Sequence, residues 1–288
     1  MWLEQCSKGK LLSELSTFGI GGPAKWFFEA KSLEDLQIAL NETHKHAVPY
    51  IIVGKGSNTL FDDRGFDGLV ILNKIAYCEH NEEIVRVGAG YNFSLLGVQT
   101  ARKGWSGLEF ASGIPATVGG AIFMNAGANG KETCESLEDV TYVDETGELK
   151  IYSKSKLTFS YRFSSFQKMK GAIAGATFRL QKSDTARKTQ LDIVDYRMRT
   201  QPYGDKSAGC VFRNPQGNSA GALIDRCGLK GLKVGGAEVS SLHANFLINK
   251  EKASAQDVLD LAHLVKKKVF EATGIELEME IRYQKYAQ

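Results

Sequence analysis

Residues 104–130, GWSGLEFASGIPATVGGAIFMNAGANG, carry seven glycines and a single side chain ionised at neutral pH, Glu109. Glycine admits positive φ and lets a ligand approach the main chain closely. A core helix is not expected at this density, because each interior Gly costs about 1 kcal/mol against Ala. A flexible linker is polar, whereas this stretch holds Leu108, Phe110, Ile114, Val118, Ile122, Phe123 and Met124. It reads as an ordered, buried wall around a large ligand that has phosphates to satisfy.

A second glycine loop strengthens that reading. Val48–Val53, VPYIIV, is a short β-branched run that predicts a buried strand. It leads into Gly54-Lys55-Gly56-Ser57-Asn58-Thr59, where successive amides can form an anion nest and Ser57, Asn58 and Thr59 add side-chain donors. The spacing is neither a Walker loop nor a dinucleotide fingerprint. Two glycine loops about fifty residues apart favour a ligand with a pyrophosphate.

Composition narrows the class. At 288 residues the chain has room for two or three small domains or one large one. A formal charge of +3 is too small to argue for nucleic acid. No apolar run approaches a membrane span, and the first residues show no hydrophobic signal region. Cys6, Cys78, Cys134, Cys210 and Cys227 are odd in number and far apart, which argues against a disulfide framework and fits a reducing cytoplasm. No CxxC or HxxxH spacing suggests a metal.

Local signals place the elements. Ser32 with Asp35, and Ser254 with Asp257, predict capping boxes for two helices. Further predicted elements are strands at 68–72, 84–88 and 172–180, a helix over 92–103, and a hairpin of 140–144 with 148–152. Helices are predicted over 183–199, over 220–227 before Gly228, and up to Gly274. From Ile275 to Tyr283 apolar and charged residues alternate strictly, which predicts one closing strand.

Three polar positions stand out. Cys210 lies among small residues in SAGCVFRNP and, taken alone, is as consistent with a buried structural cysteine. Arg162 follows Tyr161 after a strand-like run, and its planar fork suits a carboxylate. Glu280 is one of three acids on the last predicted strand.

Taken together, VGKGSNTLF, SGIPATVGGAIFMNAGANG, Tyr161-Arg162, AGCVFRNP and LEMEIR, in that order, closely resemble the UDP-N-acetylenolpyruvoylglucosamine reductases in their shorter type II subclass. The resemblance runs from Thr17 to Tyr283. It implies an α+β chain with the vanillyl-alcohol-oxidase (PCMH-type) FAD-binding fold. The expected parts are flavin subdomains at 1–72, joined by a strand over 274–288, and at 73–199, and a substrate domain at 200–273. It implies FAD held non-covalently and NADPH as hydride donor. The reaction is reduction of an enolpyruvyl ether to UDP-N-acetylmuramate for peptidoglycan synthesis. A cytoplasmic monomer is expected, with the UDP-sugar and NADPH as partners and no nucleic acid, membrane or metal.

The resemblance also implies roles. FAD contacts are expected from Gly54, Lys55, Gly56, Ser57, Asn58, Thr59, Leu60, Gly113, Ile114, Pro115, Thr117, Gly119, Gly120, Asn125 and Gly127. Hydride added to the terminal carbon leaves negative charge that spreads into the carboxylate, which Arg162 would stabilise. Glu280 would be a protonated acid bound to that carboxylate, its pKa raised by burial. Cys210, where relatives commonly have Ser, would return the proton, since a free thiol stays mostly protonated at neutral pH. Tyr161, Arg213, Asn214 and His243 would contact substrate. Thr200 stands where many relatives have lysine, with Arg197, Arg199 or Lys206 as candidate replacements. Two rivals are an FAD-dependent oxidase on the same scaffold and a non-enzymatic nucleotide sensor. Oxidases often bind flavin covalently through histidine, but His44, His46 and His80 lie outside both glycine segments.

Overall fold

The two predicted capping boxes are present. Ser32 Oγ accepts from Asp35 N and starts α1 (Leu33–Lys45), while Asn92 caps α2 (Phe93–Arg102). Further helices are α3 (Val118–Phe123), α4 (Ala186–Thr200), α5 (Ala220–Arg226) and α6 (Ala255–Thr273). Ser254 boxes the start of α6 with Asp257, and Gly274 closes it at φ 70°. This computed structural model describes residues 2–286, so residues 1, 287 and 288, the last two within the expected 274–288 strand, lie outside the described residues. Two compact units emerge: Met1–Ser7, Trp26–Lys55 and Gly68–Arg197 form one, and Lys8–Lys25, Gly56–Asp67 and Met198–Gln288 form the other.

The first unit is built on a five-stranded antiparallel sheet in the order Leu149–Ser153, Leu137–Asp144, Gly171–Arg179, Ile84–Gly88, Cys78–Asn81. The expected hairpin is there: Asp144 Oδ1 accepts from the amides of Thr146 and Glu148, and Gly147 makes the turn at φ 88°. One face packs Val85, Val87, Phe93, Phe110, Val140 and Phe178, each at most 1% exposed. Tyr50–Val53 runs parallel to Phe66–Asn73. The predicted strand at Val48 begins two residues late, because Pro49 has no N–H to give and only its carbonyl is used, by Leu69.

The density of glycine did not exclude a helix. Gly119 and Gly120 lie inside α3, a six-residue helix. A Cβ on Gly119 would stand 2.9 Å from Ala89 Cβ, so close packing against the neighbouring chain offsets the helix penalty.

In the second unit α6 lays Val258, Leu261, Ala262, Val265 and Val269 into the core with no exposure. Burial on this scale contributes about 1.5–3 kcal/mol for each large aliphatic side chain. A small antiparallel sheet of Lys233–Val234, Ala237–Val239 and Leu247–Asn249 lies within the same unit. The closing strand is shorter than the alternation predicts, since only Arg282–Gln284 pairs, parallel to Thr59–Phe61. Upstream the chain is extended but changes partner: Arg213 N donates to Glu278 O, Glu280 N to Val211 O, and Arg282 N to Asn58 O. The alternation still predicted burial, with Leu277 and Ile281 inside and Glu276 and Glu278 exposed.

Candidate active site

In the first unit the two glycine segments meet. A Cβ on Gly54 would collide with Thr117 Oγ1. That hydroxyl caps α3 by accepting from Gly120 N at 3.4 Å. The amides of Val118 and Gly119 are already spent on Tyr91 O and Ala89 O. Gly120 is different: it is exposed, and a Cβ there would meet only Thr117 Oγ1, at 3.4 Å. Gly113 is covered by the side chain of Arg197, which a Cβ would strike. Ile114 and Pro115 are half-buried, and Ser112 Oγ is buried without a protein partner among the described residues.

Two expected cofactor residues have other work. Gly127 belongs to a hairpin, Gly127–Ala128 against Lys131–Glu132, turned by Asn129 and Gly130, both at positive φ. Its Cβ would lie 2.5 Å from Lys131 O, so the close strand crossing requires glycine. The Asn-Gly pair was the sequence signal for this hairpin. Asn125 is fully buried, and its side chain is engaged on every side. Nδ2 donates to Glu132 Oε2 (2.8 Å) and Ser160 O (3.0 Å), and Oδ1 accepts from Cys134 N (3.1 Å). Both N–H donors of that amide are spent on protein, and it supports the chain carrying Tyr161 and Arg162.

Those two residues form the tip of a two-residue hairpin, with Ser160 opposite Phe163. Arg162 adopts φ 56°, a region that side chains rarely enter. Its guanidinium lies 4.9 Å from the Tyr161 ring centroid, and Tyr161 is 43% exposed. Gln167, which no sequence pattern singled out, donates through Nε2 to Arg162 O and to Phe123 O, both at 3.0 Å.

In the second unit the phosphate loop continues through Gly56 at φ 61°. A Cβ there would collide with Leu15 O, so the loop is packed against residues 15 and 16. Among the described residues the amides of Ser57 and Asn58 donate to no protein acceptor. Asn58 Nδ2 donates to Glu280 O at 3.3 Å, and Leu60 is fully buried. Residues 210–213 are stitched on both edges: Val211 N donates to Asn245 O (2.8 Å), and Val211 O accepts from Glu280 N (2.7 Å). Cys210 bridges Phe246, and Phe212 bridges Met279. Cys210 and Glu280, both half-buried, therefore lie on adjacent extended chains.

The remaining expected substrate contacts divide. Arg213 has a buried Nε without a partner among the described residues, while its Nη1 is 3.9 Å from Glu278. Asn214 is exposed, and its Oδ1 accepts from Ala220 N at 3.0 Å. His243 Nδ1 accepts from Asn245 N at 3.2 Å, which leaves the proton of the neutral ring on Nε2. Asn245, also missed in the sequence, binds both backbone groups of Phe212.

The FAD binding domain family matches residues 24–153, and the family described as UDP-N-acetylenolpyruvoylglucosamine reductase, C-terminal domain, matches 201–284. A curated UDP-N-acetylenolpyruvoylglucosamine reductase of Protochlamydia amoebophila is 60% identical over 96% of this chain and 93% of its own. The chain belongs to the UDP-N-acetylenolpyruvoylglucosamine reductase family. A reductase of that name from Chlamydia trachomatis serovar L2 is 50% identical over 94% of this chain and 93% of its own. The crystal structure of the Thermus caldophilus reductase superposes with a TM-score of 0.81 at 36% identity, covering 98% of this chain and 99% of that one. The expected PCMH-type FAD-binding fold and α+β class are thereby established, and this member of the reductase family is an FAD-type oxidoreductase. No helix among the described residues is long and apolar enough to cross a membrane.

Each unit, taken by itself, holds residues that fit part of FAD. In the first, Gly120 leaves main chain open to an approaching group; in the second, Ser57 and Asn58 offer amides with no protein acceptor among the described residues. Such amides suit a pyrophosphate better than a sealed wall would.

Proposed function

We propose that this chain reduces the enolpyruvyl ether of UDP-N-acetylglucosamine enolpyruvate to UDP-N-acetylmuramate, with NADPH as hydride donor, in peptidoglycan precursor synthesis. The observation that carries this reading is the bond from Glu280 N to Val211 O at 2.7 Å. It holds Cys210 and Glu280, the residues matching the family's proton-handling pair, on neighbouring chains. The names of relatives matched over more than nine-tenths of their length support the same substrate.

FAD, when bound, supplies the group that takes hydride from NADPH and passes it on. Gly54, Lys55, Gly56, Ser57, Asn58, Thr59 and Leu60, with Gly113, Ile114, Pro115, Thr117, Gly119 and Gly120, would hold it. Arg162 opposes the negative charge that develops on the enolpyruvyl carboxylate, a task suited to a fixed cation with a planar fork. Glu280 shares that carboxylate as an acid. The Cys210 thiol returns the proton to the carbon left negative; an ordinary thiol titrates near 8.5 and so carries its proton at neutral pH. Arg213 offers an unspent Nε, and Tyr161, Asn214 and His243 complete the contacts to the sugar nucleotide. By role, 1–72 with 274–288, and 73–199, serve the flavin, and 200–273 the sugar. A cytoplasmic monomer is the working form.

An absorbance experiment tests this. The purified protein should be yellow, bleach with NADPH under argon, and regain colour on addition of the UDP-enolpyruvyl sugar. Recovery of colour with oxygen alone, or flavin that stays on the chain after denaturation, would instead support the oxidase.

A further inference from the structure

We infer that Gln167 is a positioning residue for the reaction: it clamps the Tyr161-Arg162 turn so that the Arg162 guanidinium keeps one direction. The inference rests on the role proposed for Arg162.

Phe159 pairs with Ser164 and Ser160 with Phe163, so Tyr161 and Arg162 are the two central residues of the turn. A positive φ at the second of them is normally supplied by Gly or Asn. Here it is Arg162, at φ 56°. A residue held in such a region is strained and stays there only when its surroundings over-determine it.

The surroundings do so from two sides. Gln167 Nε2 donates to Arg162 O and to Phe123 O, each at 3.0 Å, tying the turn to the last residue of α3. Ser164 Oγ donates to the same Phe123 O at 2.7 Å. Asn125 Nδ2 holds Ser160 O, one residue before the turn. The carbonyls on either side of the Tyr161-Arg162 pair, Ser160 O before it and Arg162 O at its end, are therefore held by side-chain amides. Without the Gln167 donor the 162–163 peptide can rotate, φ of Arg162 can return to negative values, and the guanidinium swings away. Gln167 also reaches the backbone of the turn without using its own carbonyl oxygen in either bond, so donor capacity is the property that counts.

Gln167→Met keeps length and removes the donors. The variant should retain its flavin and be bleached by NADPH at the normal rate. Its reoxidation by the UDP-enolpyruvyl sugar should fall about tenfold or more, and a crystal structure should show Arg162 at negative φ. A purely structural role predicts a lower melting temperature with both half-reactions intact in the folded fraction, and normal reoxidation would overturn the inference. If Gln167→Met does not fold, Gln167→Glu decides: its carboxylate cannot donate but its acid form can. Its reoxidation rate should recover as pH is lowered, relative to wild type, and a ratio independent of pH would overturn the inference. Wild-type protein that NADPH bleaches and the sugar does not recolour would refute the proposed function itself. Normal turnover in Arg162→Ala, with wild type active, would remove the role of Arg162 and this inference with it.

Discussion

Asn245 and Phe212 exchange two hydrogen bonds: Asn245 Nδ2 donates to Phe212 O at 2.8 Å, and Phe212 N donates to Asn245 Oδ1 at 2.9 Å. One side chain thus reads a neighbouring chain as a strand would, 33 residues away and 3% exposed. Asn245→Ala would leave two buried main-chain groups unpaired, at about 1–3 kcal/mol each. A clear fall in the urea midpoint is expected, together with slower substrate-driven reoxidation, because Cys210 lies two residues from the clamp. Asn214→Ala removes the bond to Ala220 N at an exposed residue and should shift the midpoint far less. Equal midpoints for the two variants would contradict this account.

Gly54 and Thr117 make a second pair, joined by what glycine lacks. A methyl group on Gly54 would collide with Thr117 Oγ1, so Gly54→Ala should lower FAD content and melting temperature. Removing the obstruction should restore part of both, so Gly54→Ala combined with Thr117→Ala should do better than the sum of the single changes. Strict additivity would show that the contact is not the cause. Gly56→Val should also lose FAD, though through the loop's packing: the new side chain meets Leu15 O and a φ of 61°.

The acid limb of stability should depend on Asp62. Arg64 grips its carboxylate with Nε and Nη2 at 2.9 Å, Arg64 N adds a third bond, and Tyr283 Oη donates at 2.7 Å. The Arg64 guanidinium first, then these further donors, hold Asp62 well below the usual carboxylate range despite its burial. Tyr283 is pushed up to about 12, mainly by burial and also by its bond to Asp62. A folded-state pKa below the unfolded value of about 3.9 gives stability that is present above that value and lost as pH falls through the lower one. Asp62→Asn should therefore lower the melting temperature at pH 7, and the gap to wild type should shrink below about pH 4. A gap that stays constant down to pH 2.5 would mean the charge contributes nothing.

Local chemistry was legible and cross-chain chemistry was not. Ser32, Ser254 and Gly274 announce helix ends because a cap depends on residues three or four positions away. Alternation in Ile275–Tyr283 predicted burial, yet not pairing, since pairing depends on which chain lies alongside and that changes at Glu278, Glu280 and Arg282. The glycine segment was legible as a site but not as an α-helix with a hairpin after it. The positive φ of Arg162 left no trace in the sequence, because it is imposed by Gln167 and Asn125 through contacts to carbonyls. Asn125 matched a family pattern, and only its three bonds show that its side chain faces protein.

Cys210 allows the sharpest test of the proposed chemistry. Its backbone is fixed by the bridge to Phe246, so a change at Sγ alters chemistry more than chain path. A proton donor acts only after hydride has been delivered. In Cys210→Ala, NADPH should therefore bleach the flavin at a near-normal rate, while the UDP-enolpyruvyl sugar should restore colour about 10²-fold more slowly, the usual scale for losing a positioned acid. Cys210→Ser should regain much of that loss, since a hydroxyl placed on the same Cβ can give the same proton. A packing cysteine predicts the reverse pattern: a lower melting temperature in Cys210→Ala, with both half-reactions normal in the folded fraction. Stopped-flow absorbance on the two half-reactions separates the cases, and normal reoxidation in Cys210→Ala would leave Cys210 as packing alone.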